Sequence, residues 1–72
     1  MTEDSGDMLR RAYRQAVQSL PPVTRAIFLA HRLDGENLAL LAERYALSVD
    51  DVAGHLAAAL IVIDQALRGI GR

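Results

Sequence analysis

The chain has 72 residues, a formal net charge of −1 and no cysteine. This length allows one small domain with a marginally sufficient core, and the lack of cysteine excludes disulfides, thiolate metal sites and thiol catalysis. The near-neutral charge gives no general attraction to nucleic acid or to an anionic membrane. The longest uncharged apolar run, Leu56 to Ile63, is too short to span a bilayer, and the acidic start MTEDSGD is unlike a targeting signal. We therefore expect a soluble, cytoplasmic protein.

Two helices are predicted in the first half of the chain. Residues 1–5 are interpreted as a disordered lead, and a first helix is expected from Gly6 to Ser19. Its inward face follows three- and four-residue spacing and comprises Leu9, Ala12, Tyr13, Ala16, Val17 and Leu20. The prolines at 21 and 22 end this helix, and one of them suits the first turn of a second helix over residues 22–33. Inward residues of the second helix are Val23, Ile27, Phe28 and Ala30.

Two further helices are predicted after Gly35, which stops the second helix by taking a left-handed C′ conformation. Asn37 is a candidate N-cap for a short helix from Leu38 to Tyr45. Ala46 and Leu47 form a tight turn, and Ser48 caps a fourth helix that continues to about Leu67, with Asp51 completing a capping box. Together these elements predict an all-α, four-helix domain over residues 6–68 with a flexible tail at 69–72.

The third and fourth helices have the pattern of a helix-turn-helix. Such a motif needs a small residue where its second helix crosses the first, and Ala42 supplies it. Its interior residues are Leu41, Tyr45, Leu47, Val52 and Leu56. Any short-loop helical bundle gives a similar periodicity, so the pattern alone leaves both interpretations open.

Four segments resemble region four of bacterial RNA polymerase sigma factors, especially the extracytoplasmic-function type. They are LPPVTRAIFL (20–29), HRLDG (31–35), LLAERYALS (40–48) and VAGHLAAAL (52–60). The resemblance implies a sigma region-four-like fold and a transcription-related function, through binding to promoter DNA, to the polymerase, or to both. No region-two part is present, so this chain alone is not a complete sigma factor.

The chain departs from the family where DNA contact would occur. Ala53, Gly54, Ala57 and Ala58 stand where such domains commonly carry Lys or Arg, Leu40 replaces an acidic residue, and Ala46 replaces the turn glycine. The predicted recognition helix, residues 49–67, contains no positive charge, whereas DNA binding depends on Lys and Arg at phosphates. Candidate DNA contacts are Arg25, Arg44, Ser48, Val49, His55 and Ala58. For His55 the alternative is a partly exposed histidine on an apolar helix, and for the arginines it is solvated surface pairing with acids.

The fourth helix is apolar nearly all round. One face, from Val49 through Val52 and Leu56 to Ile70, is assigned to the core, and a second surface comprises Ala53, Ala57, Leu60, Ile61 and Leu67. Because so small a domain covers one side of a helix only, we expect a homodimer or a partner that binds through the fourth helix. The contact is centred on Leu60, Ile61 and nearby Ala57, and Ala53 is a further candidate interface residue. Two hypotheses follow: a DNA- or polymerase-binding transcription module, or a DNA-silent interaction module that contacts itself, an anti-sigma-like regulator or the polymerase. No catalytic, metal-binding or cofactor-binding constellation is found, so an enzyme is not expected.

Overall fold

Four α-helices make up the described part of the chain. The computed structural model describes residues 3–70, with side chains for residues 6–69. The helices are α1 (Glu3–Ser19), α2 (Pro22–Asp34), α3 (Leu38–Tyr45) and α4 (Val49–Ile70), and no strand occurs within residues 3–70. The predicted all-α, four-helix class is confirmed. The described residues measure 46 × 20 × 16 Å.

Both long helices extend beyond their predicted ends. Helix α1 begins at Glu3 rather than at Gly6, because acidic residues are well tolerated in a first turn, where they complement the helix dipole. Helix α4 continues through Gly69 to Ile70, since one glycine in a last turn costs only about 1 kcal/mol. Of the predicted lead and tail, residues 1–2 and 71–72 lie outside the described residues.

Local signals fix the ends of the three C-terminal helices. Gly35 ends α2 in the left-handed region at φ 67°, and its N–H donates to the carbonyl of Ala30. The Asn37 side chain accepts a 2.8 Å hydrogen bond from the Leu40 N–H at the start of α3. The Ser48 hydroxyl accepts a 3.0 Å bond from the Asp51 N–H, which is one of the two bonds of the predicted capping box. The predicted stop and both predicted N-caps are therefore confirmed.

Helix α4 is the central element, because it packs against each of the other three helices. Two groups of buried residues result. The helix-turn-helix cluster joins α2, α3 and α4 and consists of Ile27, Leu41, Ala42 and Val52. The α1 cluster joins α1, α2 and α4 and consists of Ala16, Val17, Leu20, Phe28, Ala59 and Ile63. Leu56 packs against both clusters and so connects them.

Several predicted inward positions are wrong. Val23 is 46% exposed, and Thr24 is buried in its place, because Thr24, Ile27 and Phe28 follow the i, i+3, i+4 spacing of one helix face. Leu9 and Val49 are 43% and 48% exposed, since each lies before the first buried residue of its helix, Ala16 in α1 and Val52 in α4. Leu67, which was assigned to the second surface of α4, instead packs against the α1 cluster.

Helix α4 also has the length and composition of a membrane span. Residues Val49–Gly69 form a 21-residue stretch with a mean hydropathy of 1.2 in its most apolar window. The uncharged run at 56–63 is thus one part of a longer apolar helix. One such helix is weak evidence for a membrane span; 17% of that window is buried, and α4 supplies Val52, Ala59 and Ile63 to the two buried clusters.

Candidate functional site: the helix-turn-helix surface

The turn between α3 and α4 depends on one strained residue. Ala46 has φ 56° and ψ 45°, and it is the one non-glycine residue with a positive φ among the described residues. The next N–H, that of Leu47, donates to the carbonyl of Ala42 at 2.9 Å and closes the turn. Alanine in this region meets a steric penalty that glycine avoids. Ala46, which stands at the position of a turn glycine in the resembling sequences, therefore adopts the left-handed conformation that glycine takes more easily.

The interior of the motif agrees with the sequence pattern. Leu41 and Val52 are fully buried, and Ala42 is 7% exposed where α3 meets α4. Tyr45 and Leu47 are half-buried and pack against the same cluster. A small residue at position 42 thus lets the two helices of the motif approach closely.

The exposed side of the first turns of α4 is acidic. A shallow depression of about 490 Å³ is lined by Leu47, Asp50, Asp51, Gly54, His55 and Ala58. In a helix-turn-helix, the N-terminal residues of the second helix are those that reach base edges. Here that end presents two carboxylates, while the one basic residue of α4, Arg68, lies in the last turn and pairs with Asp64 at 2.8 Å.

His55 is tied to the scaffold by a bond that sequence reasoning missed. Its Nδ1 lies 2.8 Å from the Thr24 hydroxyl, and Thr24 is 5% exposed. The bond joins α2 to α4 and satisfies a hydroxyl that would otherwise be buried without a partner. The signal available beforehand was a threonine on the i, i+3, i+4 face of α2, where a polar side chain needs a bonding group on a facing helix.

The two arginines proposed for DNA contact lie outside the depression. Arg44 donates two hydrogen bonds to the Glu36 carboxylate, at 2.6 and 2.9 Å. Donation of these hydrogen bonds to Glu36 raises the pKa of Arg44 above its ordinary value. Arg25 lies on the α1 side of α2 and donates to the carbonyl of Gln18 at 3.2 Å. Contact between Arg44 and a phosphate would first require release from Glu36.

The other predicted site residues divide between two surfaces. Ser48 caps α4 and Val49 is exposed beside it, while His55 and Ala58 line the depression. The candidate interface residues all lie on one exposed face, which we call the α4 ridge: Ala53, Ala57, Leu60 and Ile61. The ridge contains two large exposed side chains, Leu60 at 53% and Ile61 at 58%.

Comparison with known protein-family models, with curated proteins and with solved structures gives no match for this chain. The similarity to sigma region four therefore depends on the four sequence segments and stays a prediction. Within the described residues, no group of three or more metal-ligating side chains is found.

Proposed function

We propose that the chain is a transcription-related helix-turn-helix module of the sigma region-four type. It binds promoter DNA, RNA polymerase, or both, and acts in the cytoplasm on transcription initiation. The observation that carries the proposal is the α3–α4 unit itself, in which the small Ala42 lies at the helix crossing and Ala46 closes a tight left-handed turn. This unit leaves the start of α4 exposed, as a recognition helix requires.

A second candidate is a DNA-silent module that uses the same helix to contact protein. The supporting observation is the charge of the depression, where Asp50 and Asp51 face the solvent. DNA carries one negative charge per about 1.7 Å of helix axis, so carboxylates at the point of approach oppose binding. A purely structural explanation for these acids is their favourable interaction with the helix dipole, worth about 0.3–1 kcal/mol. Charge favours contact with protein, whereas the sequence resemblance favours contact with DNA.

A salt-titrated DNA-binding assay separates the two candidates. The probe is a random-sequence duplex pool, enriched by repeated selection on the immobilised chain and measured by fluorescence anisotropy. The DNA-silent candidate predicts no enrichment and no submicromolar binding. Specific binding at submicromolar Kd that weakens with a log–log salt slope of about −0.9 per phosphate contact contradicts it.

Charge variants sharpen the same assay. Asp50→Lys with Asp51→Lys converts the depression to a basic surface, and we expect it to raise nonspecific affinity for duplex DNA. The matched comparison is between the single variants Asp50→Lys and Asp64→Lys, because each reverses one charge, near the start and towards the far end of α4 respectively. Glu36→Gln frees Arg44 and should raise DNA affinity only if Arg44 faces the duplex. Binding of purified RNA polymerase core, measured on the same immobilised chain, tests the polymerase arm.

A further inference from the structure

A basic groove lies between α1 and α2, away from the helix-turn-helix depression. It has a volume of about 570 Å³, within the range of ligand-binding clefts. Its apolar lining is Tyr13, Val17, Leu29 and Leu33, and its charged lining is Arg10, Arg14 and Arg25. Leu33 is 75% exposed, which is the largest exposed fraction among the large hydrophobic side chains described. The groove thus combines an uncovered apolar surface with three guanidinium groups.

The charge of the groove is opposite to that of the chain as a whole. No described carboxylate lines it, although the chain carries a formal net charge of −1. Arg10 pairs with Asp7 at 2.9 Å, but both side chains are more than half exposed, so the pair is weak. Arg10 can therefore leave Asp7 and pair with a carboxylate of a binding partner. Arg25 is directed along α1 by its bond to the Gln18 carbonyl. The groove therefore fits a partner surface that carries both apolar side chains and carboxylates.

The α4 ridge has that chemistry. Ala57 and Ile61 are one turn apart, and Asp64 follows Ile61 by three residues on the same helix face. Insertion of Ile61 into an apolar groove therefore brings Asp64 to its rim. Asp64 is paired with Arg68, but this pair is also exposed, with side-chain exposures of 57% and 76%, and is equally exchangeable.

We propose that the α4 ridge of one copy binds in the basic groove of a second copy. This inference rests on the second candidate function, contact with protein through the recognition helix, and identifies both the partner and the receiving surface. The contact joins two different surfaces of the same chain, so it is heterologous: one copy supplies the ridge and the other the groove. It covers Leu60, Ile61 and Leu33 together.

A symmetric ridge-to-ridge dimer fits less well. A parallel two-fold pair would bring Asp50 and Asp64 of one ridge towards the same acids of the other copy, and like charges across an interface are unfavourable. An antiparallel pair avoids this repulsion, but either pair would leave the arginines and Leu33 of the groove uncovered. The groove-to-ridge contact instead sets opposite charges against each other and buries both apolar surfaces.

The test is a complementation experiment by analytical ultracentrifugation. Leu33→Glu disables the groove, and Ile61→Glu disables the ridge. Both positions are exposed, so circular dichroism should show unchanged helicity. Leu40→Glu, at a 43% exposed position on α3 that lines neither surface, is the matched control. We expect the wild type and Leu40→Glu to associate more weakly as salt rises, and each of the other two variants to be monomeric.

Mixing the two disabled variants is the decisive step. The intact groove of Ile61→Glu should bind the intact ridge of Leu33→Glu, which gives a 1:1 dimer that grows no further. Arg14→Glu should replace Leu33→Glu with the same result, because Arg14 is exposed and lines the same groove. A mixture that stays monomeric overturns the proposal, as does a wild type that is monomeric up to about 1 mM, the weak limit of useful affinity.

Failure of this inference is distinguishable from failure of the proposed function. If Ile61→Glu abolishes association while Leu33→Glu does not, the ridge contacts itself, and the groove proposal is wrong while protein contact stands. If the wild type is monomeric but binds polymerase core, the transcription-related function stands and self-association is wrong. Specific salt-dependent DNA binding in the separate assay contradicts the DNA-silent candidate on which the inference rests.

Discussion

The two buried clusters of this domain are held in different ways. Directional interactions surround the helix-turn-helix cluster: two side-chain N-caps, the Thr24–His55 bond and the bidentate Arg44–Glu36 pair. The α1 cluster is held mainly by apolar packing, and the α1 helix also forms one wall of the open basic groove. Directional bonds fix a geometry, whereas apolar burial is roughly proportional to area and tolerates more than one arrangement. The difference suits a domain with one defined recognition end and one adaptable end.

Removing a fully buried side chain from the helix-turn-helix cluster should have the largest effect. Leu41 is 0% exposed, so Leu41→Ala leaves a cavity and should lower the free energy of unfolding by about 2–5 kcal/mol. A domain of this length has a free energy of unfolding on the order of 4–11 kcal/mol. The loss in the variant is therefore a large fraction of the total stability. Urea denaturation measures the loss. The neighbouring Leu40→Ala, at a 43% exposed position, should cost less than about 1 kcal/mol. Equal losses at both positions would contradict the assigned packing.

Breaking the bond between α2 and α4 should have an intermediate effect. Thr24→Val keeps the shape of the side chain but removes the hydroxyl that bonds His55 Nδ1, and we expect a loss of about 0.5–1.5 kcal/mol. Thr24→Ser retains the hydroxyl and serves as the control. A chemical-shift change confined to the His55 ring, followed by NMR, would tie the loss to this bond. A Thr24→Val variant as stable as the wild type would show that the bond adds no net stability.

Relieving the strained turn should give the smallest change, and in the opposite direction. Ala46→Gly removes a left-handed penalty of about 1–2 kcal/mol. It also adds about 0.4–1 kcal/mol of chain entropy to the unfolded state. The net expectation is a gain of about 0.5–1 kcal/mol, measured as a higher melting temperature. Ala58→Gly, at an exposed position in the interior of α4, is the control and should lose about 1 kcal/mol. If both substitutions destabilise, the turn at Ala46 is not left-handed in solution.

Prediction from sequence succeeded where short-range chemistry decides the structure. The bounds of α3, the stop at Gly35 and the caps at Asn37 and Ser48 follow from residues within one turn of each other. These features need no knowledge of how the helices pack.

Features that depend on how the helices pack against one another were harder to predict. The exposed Val23 and the half-buried Leu67 are both apolar residues at helical spacing, and only the arrangement of neighbouring helices separates them. The Thr24–His55 bond spans 31 residues, and the basic groove combines residues of two helices, so neither is visible in a single periodic pattern. The function stays a prediction, because the residues that suggest a DNA-binding scaffold and those that carry the charge point to different partners.

The continuity of α4 has a mechanical consequence. Its 22 residues form one uninterrupted helix of about 33 Å, which contributes to the recognition depression near one end and to the α1 cluster near the other. A rigid rod of that length is a lever arm: a tilt of about 10° at one end displaces the other by roughly 6 Å. Binding that tilts the first turns of α4 would thus displace its far end, with no change in the conformation of the helix itself. One spin label at the last turn of α4 and a second on α1 would measure that transmission as a change in the distance between the two helices.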